Sequence, residues 1–319
     1  VVRDDACLHR PWPDRRPALY SCAHSPGAAR AAGKLDADLA WIVQQGVSKD
    51  STSARSRTQS FNLGKLTRMQ ASSLIASLRI VAQPHNPARC GIDCVWPLMD
   101  CALAHSKSQQ RQDLLLLPAL LAATGGRPGT FVELGAFDGV RLSNTFMLER
   151  CFNWTGLLIE ANPKNYEELV MHSGRAATHV HSAVCDAHSN PSTVRMTVGG
   201  GNVARQQLGP NSVRGEQLIE VPCAPLDRLM DDAGLGSGRS TTFLSLDTEG
   251  AEELVLRTVD PARFKYLMVE TEAQVSDRRT MDAVSRILTR AGLHRATEVT
   301  GIQYNAVYRS GRQAKAWPR

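Results

Sequence analysis

The chain has 319 residues and a mass of 34.8 kDa, which allows one large domain with an appendage or two modest ones. Its 42% hydrophobic and 21% charged residues suit a folded globular protein. The longest apolar run, Leu114 to Ala123, is interrupted by Pro118 and is too short for a spanning helix, which excludes a polytopic membrane protein. The net charge of +6 is concentrated in residues 1–80, which hold 12 Lys and Arg against 6 Asp and no Glu. The remainder is balanced, so no basic nucleic-acid-binding body is expected. Eight cysteines are too dilute for a disulfide scaffold, and Cys90, Cys94 and Cys101 read as buried free thiols.

Residues 1–34 are rich in Arg, Pro and Ala, and 46–60 in Ser, Thr, Arg and Gln. This composition reads as a disordered basic leader, compatible with an organelle transit segment. The sequence does not fix a location; a soluble protein, cytoplasmic or organellar if the leader is such a segment, is the expectation. The chain starts at Val1, as a fragment or a processed form would. Helical spacing recurs at Leu35, Leu39 and Ile42, and again at Leu66, Met69, Leu74, Leu78 and Val81. The expected organisation is a leader over 1–83, a helical segment over 84–128, the main domain over 129–311 and a tail over 312–319.

Residues 109–123 form an apolar helix pattern stopped by Gly125 and Gly126. From residue 130 short apolar strands alternate with amphipathic helices, as in βαβ units, and no internal repeat is found. Strands are expected at 130–134, 156–159, 178–184, 242–246 and 266–269, with a final pair at 294–299 and 305–309. Residues 193–198 and 217–222 read as a β excursion. Helices are expected at 143–151, after Asn162 as N-cap with Pro163 at the first position, at 226–233, at 250–258 and at 277–291. Gly234 and Gly292 close two of them.

In open α/β sheets, ligands bind at the carboxyl ends of the strands. The first strand runs into Phe131-Val-Glu-Leu-Gly-Ala-Phe-Asp-Gly139. Gly135 permits a tight turn, and Gly139 would let a ligand approach the next helix. The G-x-x-x-G spacing is not the dinucleotide fingerprint, and Glu133 would repel a phosphate but suit an ammonium or sulfonium group. Glu160 ends the second strand, where a carboxylate can accept ribose hydroxyls, and Asp186 follows the third, where it can meet an adenine amino group. These acidic tips describe a nucleoside with a positively charged tail.

The segment from 130 to about 310 resembles the FkbM-type methyltransferases of the class I S-adenosylmethionine-dependent fold. The residues that carry the resemblance are Val132-Glu-Leu-Gly-Ala-Phe-Asp-Gly139, Leu142-Ser-Asn-Thr145, Gly156-Leu-Leu-Ile-Glu-Ala-Asn-Pro163, Ala183-Val-Cys-Asp186 and Leu246-Asp-Thr-Glu-Gly-Ala-Glu252. Phe137 stands where the family usually has Asn, and Ala161 where it usually has Pro. The resemblance implies an α/β fold: a Rossmann-like sheet of seven strands, the last antiparallel, with helices on both faces. It implies S-adenosylmethionine as cofactor, held by Glu133, Gly135, Asp138, Gly139, Asn144, Glu160, Asn162 and Asp186. It implies methyl transfer to a hydroxyl of a small molecule, sugar or lipid.

A hydroxyl acceptor must lose a proton, so a carboxylate near the methyl group would serve as base. Asp247 is the first choice, with Glu249 and Glu272 beside it; Glu270 and Glu272 end the fifth strand. Glu249 would also suit a helix N-terminus. No spacing among these acids demands a metal, although oxygen ligands suit magnesium. Cys90, Cys94, Cys101 and His105 lack the paired spacing of a zinc site. The sequon Asn153-Trp-Thr155 is expected unused, glycines 199–201 read as a loop, and His179 and His181 as strand residues. Two alternatives remain: an NAD-dependent oxidoreductase using Glu160 for the ribose, and a non-catalytic module on the same fold.

Overall fold

Alternation of side chains along each strand decides which face of the sheet it serves. In the computed structural model, which describes residues 68–82, 92–186, 192–198, 204–206, 217–236, 240–270 and 278–311, this pattern builds one seven-stranded sheet. The strands are β1 (Thr130–Leu134), β2 (Thr155–Glu160), β3 (Thr178–His181), β8 (Thr241–Leu246), β9 (Phe264–Glu270), β10 (Leu293–Arg295) and β11 (Asn305–Ser310). Their order is β10-β11-β9-β8-β1-β2-β3. The pairs from β9 to β3 are parallel, and β11 runs antiparallel to both neighbours. The expected α/β class, strand count and antiparallel end are all present.

Phe131, Leu158, Phe243 and Met268 point to one face and meet three N-terminal helices. These are α1 (Arg68–Ala82), α2 (Ile92–His105) and α3 (Gln112–Thr124). Val132, Leu157, Ile159, Leu244 and Val269 point to the other face. There they meet α6 (Leu226–Asp232), α7 (Glu252–Arg257) and α8 (Arg278–Arg290). Two further helices, α4 (Phe146–Phe152) and α5 (Pro163–His172), flank β2. Asn162 caps α5 as expected, its side chain accepting from Lys164 N–H at 3.0 Å.

Residues expected in a leader contribute to this core. Leu74, Ile75 and Leu78 of α1 are buried with Leu117 and Leu120 of α3. Gln70 Nε2 donates to Thr300 O at 3.0 Å, tying α1 to the last loop. Each such apolar side chain stabilises by ~1.5–3 kcal/mol. A chain shortened to begin at residue 84 is expected to melt well below one beginning at residue 61. Equal melting temperatures would place α1 outside the core.

Three expected elements and the cysteine reading differ; the strand expected over 294–299 is only Leu293–Arg295. The strand expected over 178–184 breaks at Ser182, whose Oγ donates to Ala183 O at 2.7 Å. Only β3 joins the main sheet; β4 (Ala183–Val184) pairs with β7 (Gln217–Ala224). With β5 (Thr193–Val198) and β6 (Ala204–Gln206) these form a second sheet, ordered β4-β7-β5-β6, which is the expected excursion. Helix α4 starts at Phe146 rather than 143, because Ser143, Asn144 and Thr145 bind Glu133. The free-thiol reading is overturned: Cys101 bonds Cys151, Cys185 bonds Cys223, and Cys94 is also disulfide-bonded. Packing of α2 on α4 and of β4 on β7 brings the paired Cα atoms to 5.8 and 5.6 Å. Residues before 68, the tail 312–319, glycines 199–201, Cys90 and Glu272 lie outside the described residues.

Candidate functional site

The alternation that buries Phe131, Leu158, Phe243 and Met268 also fixes the strand tips. Two residues further on come Glu133, Glu160, Ser245 and Glu270, on the same face and at the carboxyl ends. Beside the first three lies a cleft of about 200 Å³, its walls completed by Phe137, Arg141, Asn144, Ser182–Val184, Asp247 and Glu249. Four carboxyl groups and one guanidinium line it, a balance that favours a cationic ligand over an anionic one.

Glu133 is 3% exposed. Its Oε1 accepts from Asn144 N–H at 2.6 Å, and its Oε2 accepts from Ser143 Oγ at 2.7 Å and Thr145 Oγ1 at 2.5 Å. Arg175 stands 4.0 Å away. Glu133 thus organises the loop that carries Asn144 into the cleft. Asn144 Nδ2 donates to Ser245 Oγ at 3.0 Å, while its Oδ1 is buried without a hydrogen-bond partner among the described residues. An unpartnered buried acceptor at a cleft wall calls for a donor from a ligand.

Glu160 is 5% exposed and accepts from the N–H groups of Phe137 and Asn162, each at 2.8 Å. Burial pushes its carboxyl up to about 7, against these hydrogen bonds. Phe137 reaches Glu160 because its backbone adopts φ 52°, in the left-handed region that Asn tolerates better than Phe. Its ring lies under the Arg141 guanidinium at 4.4 Å.

Gly135, with φ 75°, is required by the loop behind it: a Cβ there would collide with Asp247 O. Gly139 packs against α5: a Cβ there would strike Leu169, and its carbonyl accepts from Arg175 Nη1 at 2.7 Å. Asp138 Oδ1 accepts from Val140 and Arg141 N–H, closing a turn. Asp138, Gly139 and Asn162 sit behind the cleft wall. Asp186 lies beyond β4, and the break at Ser182 hands its wall of the cleft to Ser182, Ala183 and Val184.

Past β8, the turn Thr248-Glu249-Gly250 is held by Glu252, fully buried, whose Oε1 accepts from Thr248 N–H, Thr248 Oγ1 and Gly250 N–H at 3.1 Å each. Glu249 takes φ 56° there. The turn sets Asp247 against Glu270. The carboxyl oxygens of Asp247, Glu249 and Glu270 come within 4.8 Å of one another, an oxygen set of the kind that also suits a divalent cation. Desolvation raises both members of the Asp247–Glu270 pair, Glu270 further because the Asp247 charge faces it. A hydrogen bond between the two carboxyls lowers Asp247 and raises Glu270, so the shared proton favours Glu270, and among the described residues Glu270 Oε2 has no partner.

Sequence reasoning passed over Glu270 in favour of Glu272, although Glu270 directly follows the expected strand. It also missed Arg175, which lies in an irregular loop with no periodic signal.

Among curated proteins, no sequence matches this chain. Solved structures it is similar to include the methyltransferase FkbM of Methylobacillus flagellatus KT, 17% identical over 69% of this chain and 60% of that one, TM-score 0.33. The fibrillarin pre-rRNA processing protein of Methanococcus jannaschii is 12% identical over 57% of this chain and 65% of that one, TM-score 0.34. An O-methyltransferase family protein of Burkholderia thailandensis is 12% identical over 88% and 85%, TM-score 0.30. This chain therefore spans less than two thirds of the first two. The family described as the methyltransferase FkbM domain matches residues 133–293, half of the chain, from the Glu133 strand tip to the start of β10. The chain belongs to the FkbM methyltransferase family.

Proposed function

We propose that the cleft binds S-adenosylmethionine and that the protein methylates a hydroxyl oxygen of a small molecule, sugar or lipid. The observation that carries this reading is the buried, unpartnered Oδ1 of Asn144 in a wall rich in carboxyl groups. An ammonium donor satisfies that oxygen, and the acidic wall suits a sulfonium. The residues present fit the cofactor: Asn144 would hold its charged tail and Glu160 its ribose hydroxyls. When bound, it supplies an electrophilic methyl group.

The chain's own residues supply the rest. Fixing the acceptor in line is worth up to ~7–11 kcal/mol in favourable intramolecular cases. Asp247 accepts the acceptor's proton, while Glu270 holds the Asp247 carboxylate in place through its own proton. Nothing in the cleft or the family match favours the nicotinamide alternative, and a dinucleotide would bring phosphates against Glu133 and Glu160. Calorimetric titration tests the reading: saturable binding of S-adenosylmethionine with none of NAD is expected. Binding of NAD alone would overturn it, and binding of neither would favour a non-catalytic module.

Glu160→Gln is expected to weaken cofactor binding by about 1–3 kcal/mol, because a neutral amide replaces a charge-assisted acceptor. The pH dependence separates this from a folding effect. With its carboxyl at about 7, Glu160 becomes protonated as pH falls through neutrality, so wild-type affinity should fall with it. The Gln variant should lose that slope. Titrations at pH 6 and 8 would check this, and a wild-type affinity flat between them would remove Glu160 from the ribose.

A further inference from the structure

We propose that Asn153 is an N-glycosylation site and that the chain folds in an oxidising compartment of the secretory route. The sequon Asn153-Trp154-Thr155 joins the C-terminus of α4 to β2. Alternation across the junction turns Asn153 and Thr155 outward, where both are exposed, and turns Trp154 inward, where it is 1% exposed. A glycan on Asn153 would therefore stand in solvent in the folded protein, while the residue between the two sequon side chains anchors the junction in the core. Among the described residues, neither the Asn153 side chain nor the Thr155 hydroxyl makes a hydrogen bond, so neither has a structural task that a glycan would disturb. Asn153 takes φ 55° as the C-cap of α4, a left-handed position to which Asn is suited.

The disulfides supply the second, independent observation. Cys101–Cys151, Cys185–Cys223 and the bonded Cys94 lie on α2, α4, the residue after β4, and β7, and belong to the fold itself. Such bonds form and persist in the endoplasmic reticulum lumen and outside the cell, and are rare in the cytosol. Cys151 lies two residues before Asn153, so the same segment carries both marks. The glycan does not obstruct the cleft: β2 places Glu160 at its other end, roughly 20 Å from Asn153 at ~3.3 Å per residue. Thr155 N–H donates to Gly129 O at 3.3 Å in the folded sheet, so transfer belongs to the chain before β2 pairs.

The chemistry balances with two co-reactants. Asn153 Nδ2 bonds to the anomeric carbon of a lipid-diphosphate oligosaccharide, the carbon–oxygen bond to the diphosphate breaks, the lipid diphosphate leaves with the electron pair, and the amide nitrogen loses one proton. Each disulfide forms as two thiols give two electrons and two protons to a disulfide-donating oxidoreductase.

The test uses native protein from its source cells, and the full 319-residue chain behind a secretion signal in cultured eukaryotic cells. Enzymatic removal of N-glycans should lower the apparent mass in a single step and convert the Asn153 amide to a carboxylate in the digested peptide. The step should be absent from both Asn153→Gln and Thr155→Ala and present in Thr155→Ser. Thr155→Ala leaves the left-handed cap untouched, and whole-cell lysates keep a poorly secreted variant in view. Alkylation before reduction should leave Cys101, Cys151, Cys185 and Cys223 unlabelled in the native protein. Native protein with no mass step would overturn the glycan assignment; native protein whose Cys101 and Cys151 label without reduction would overturn the compartment.

Discussion

Replacing Arg175 with methionine is expected to destabilise the fold by about 3–5 kcal/mol, the cost of removing one partner of a buried ion pair. Arg175 is 7% exposed, yet it binds four groups. Its Nε donates to Glu149 Oε2 at 2.8 Å, Nη1 to Gly139 O at 2.7 Å and to Ser143 Oγ at 3.3 Å, and Nη2 to Thr145 Oγ1 at 2.8 Å. Methionine keeps the length of the stem and removes the charge, leaving Glu133 and Glu149 buried without their cation. Chemical denaturation measures the loss, and a change under 1 kcal/mol would show that Ser143 and Thr145 alone suffice for Glu133. Arg175→Lys should recover only part of it, since an ammonium lacks the planar fork that spans Glu149, Gly139 and Thr145. Combining Arg175→Met with Glu133→Gln should cost less than the two single losses together, because the second change removes the charge that the first stranded. The site should feel the change as well. Asn144 is held by the Glu133 loop, so cofactor affinity in Arg175→Met should fall even where the protein remains folded.

The sheet was legible because its signal is local. Runs such as Phe131–Leu134 and Phe243–Leu246 alternate between two buried faces, and that alternation also sets Glu133 and Glu160 at the tips. The third strand changes sheets at Ser182, ahead of Asp186, a break that the apolar pattern through Val184 conceals. The cysteines were misread for a related reason. Cys101 and Cys151 are 50 residues apart in sequence, and only the packing of α2 on α4 makes them neighbours. Arg175 acts on backbone and side chains 26 to 36 residues away, so residue type and spacing alone assign it nothing. The motif ending in Glu252 was visible, but its physical reason was not: the last carboxylate holds the turn on which Asp247 and Glu249 stand. The departure at Phe137 becomes intelligible only from its positive φ, which no composition or period reports.

Asp247→Asn is expected to lower methyl transfer on the order of 100-fold or more, the usual range for a general base, with little change in cofactor affinity. Asparagine keeps the size and still accepts the proton that Glu270 donates, so the turn after β8 should survive. With desolvation holding Asp247 at about 6, the carboxylate is ionised and able to accept a proton at neutral pH, and becomes protonated as pH falls. The wild-type rate should therefore drop below about pH 6, and the variant should lose that acid limb. Stability runs the other way. A carboxyl whose folded pKa lies above its unfolded value binds more protons in the folded state, so the fold weakens as pH rises through the window between them. For Asp247 that window runs from 3.8 to about 6, and for Glu270 from 4.5 to about 9. Asp247→Asn should consequently be as stable as the wild type at pH 8, or more so, since it relieves the repulsion with Glu249, Glu252 and Glu133. A residue that merely capped the turn would behave oppositely, losing about 1 kcal/mol of stability with its turnover intact. Transfer of a labelled methyl group to a panel of hydroxylated sugars, lipids and small alcohols, run beside thermal melts, separates the two. Near-normal transfer with a lowered melting temperature would return Asp247 to the turn and make Glu249 the candidate base.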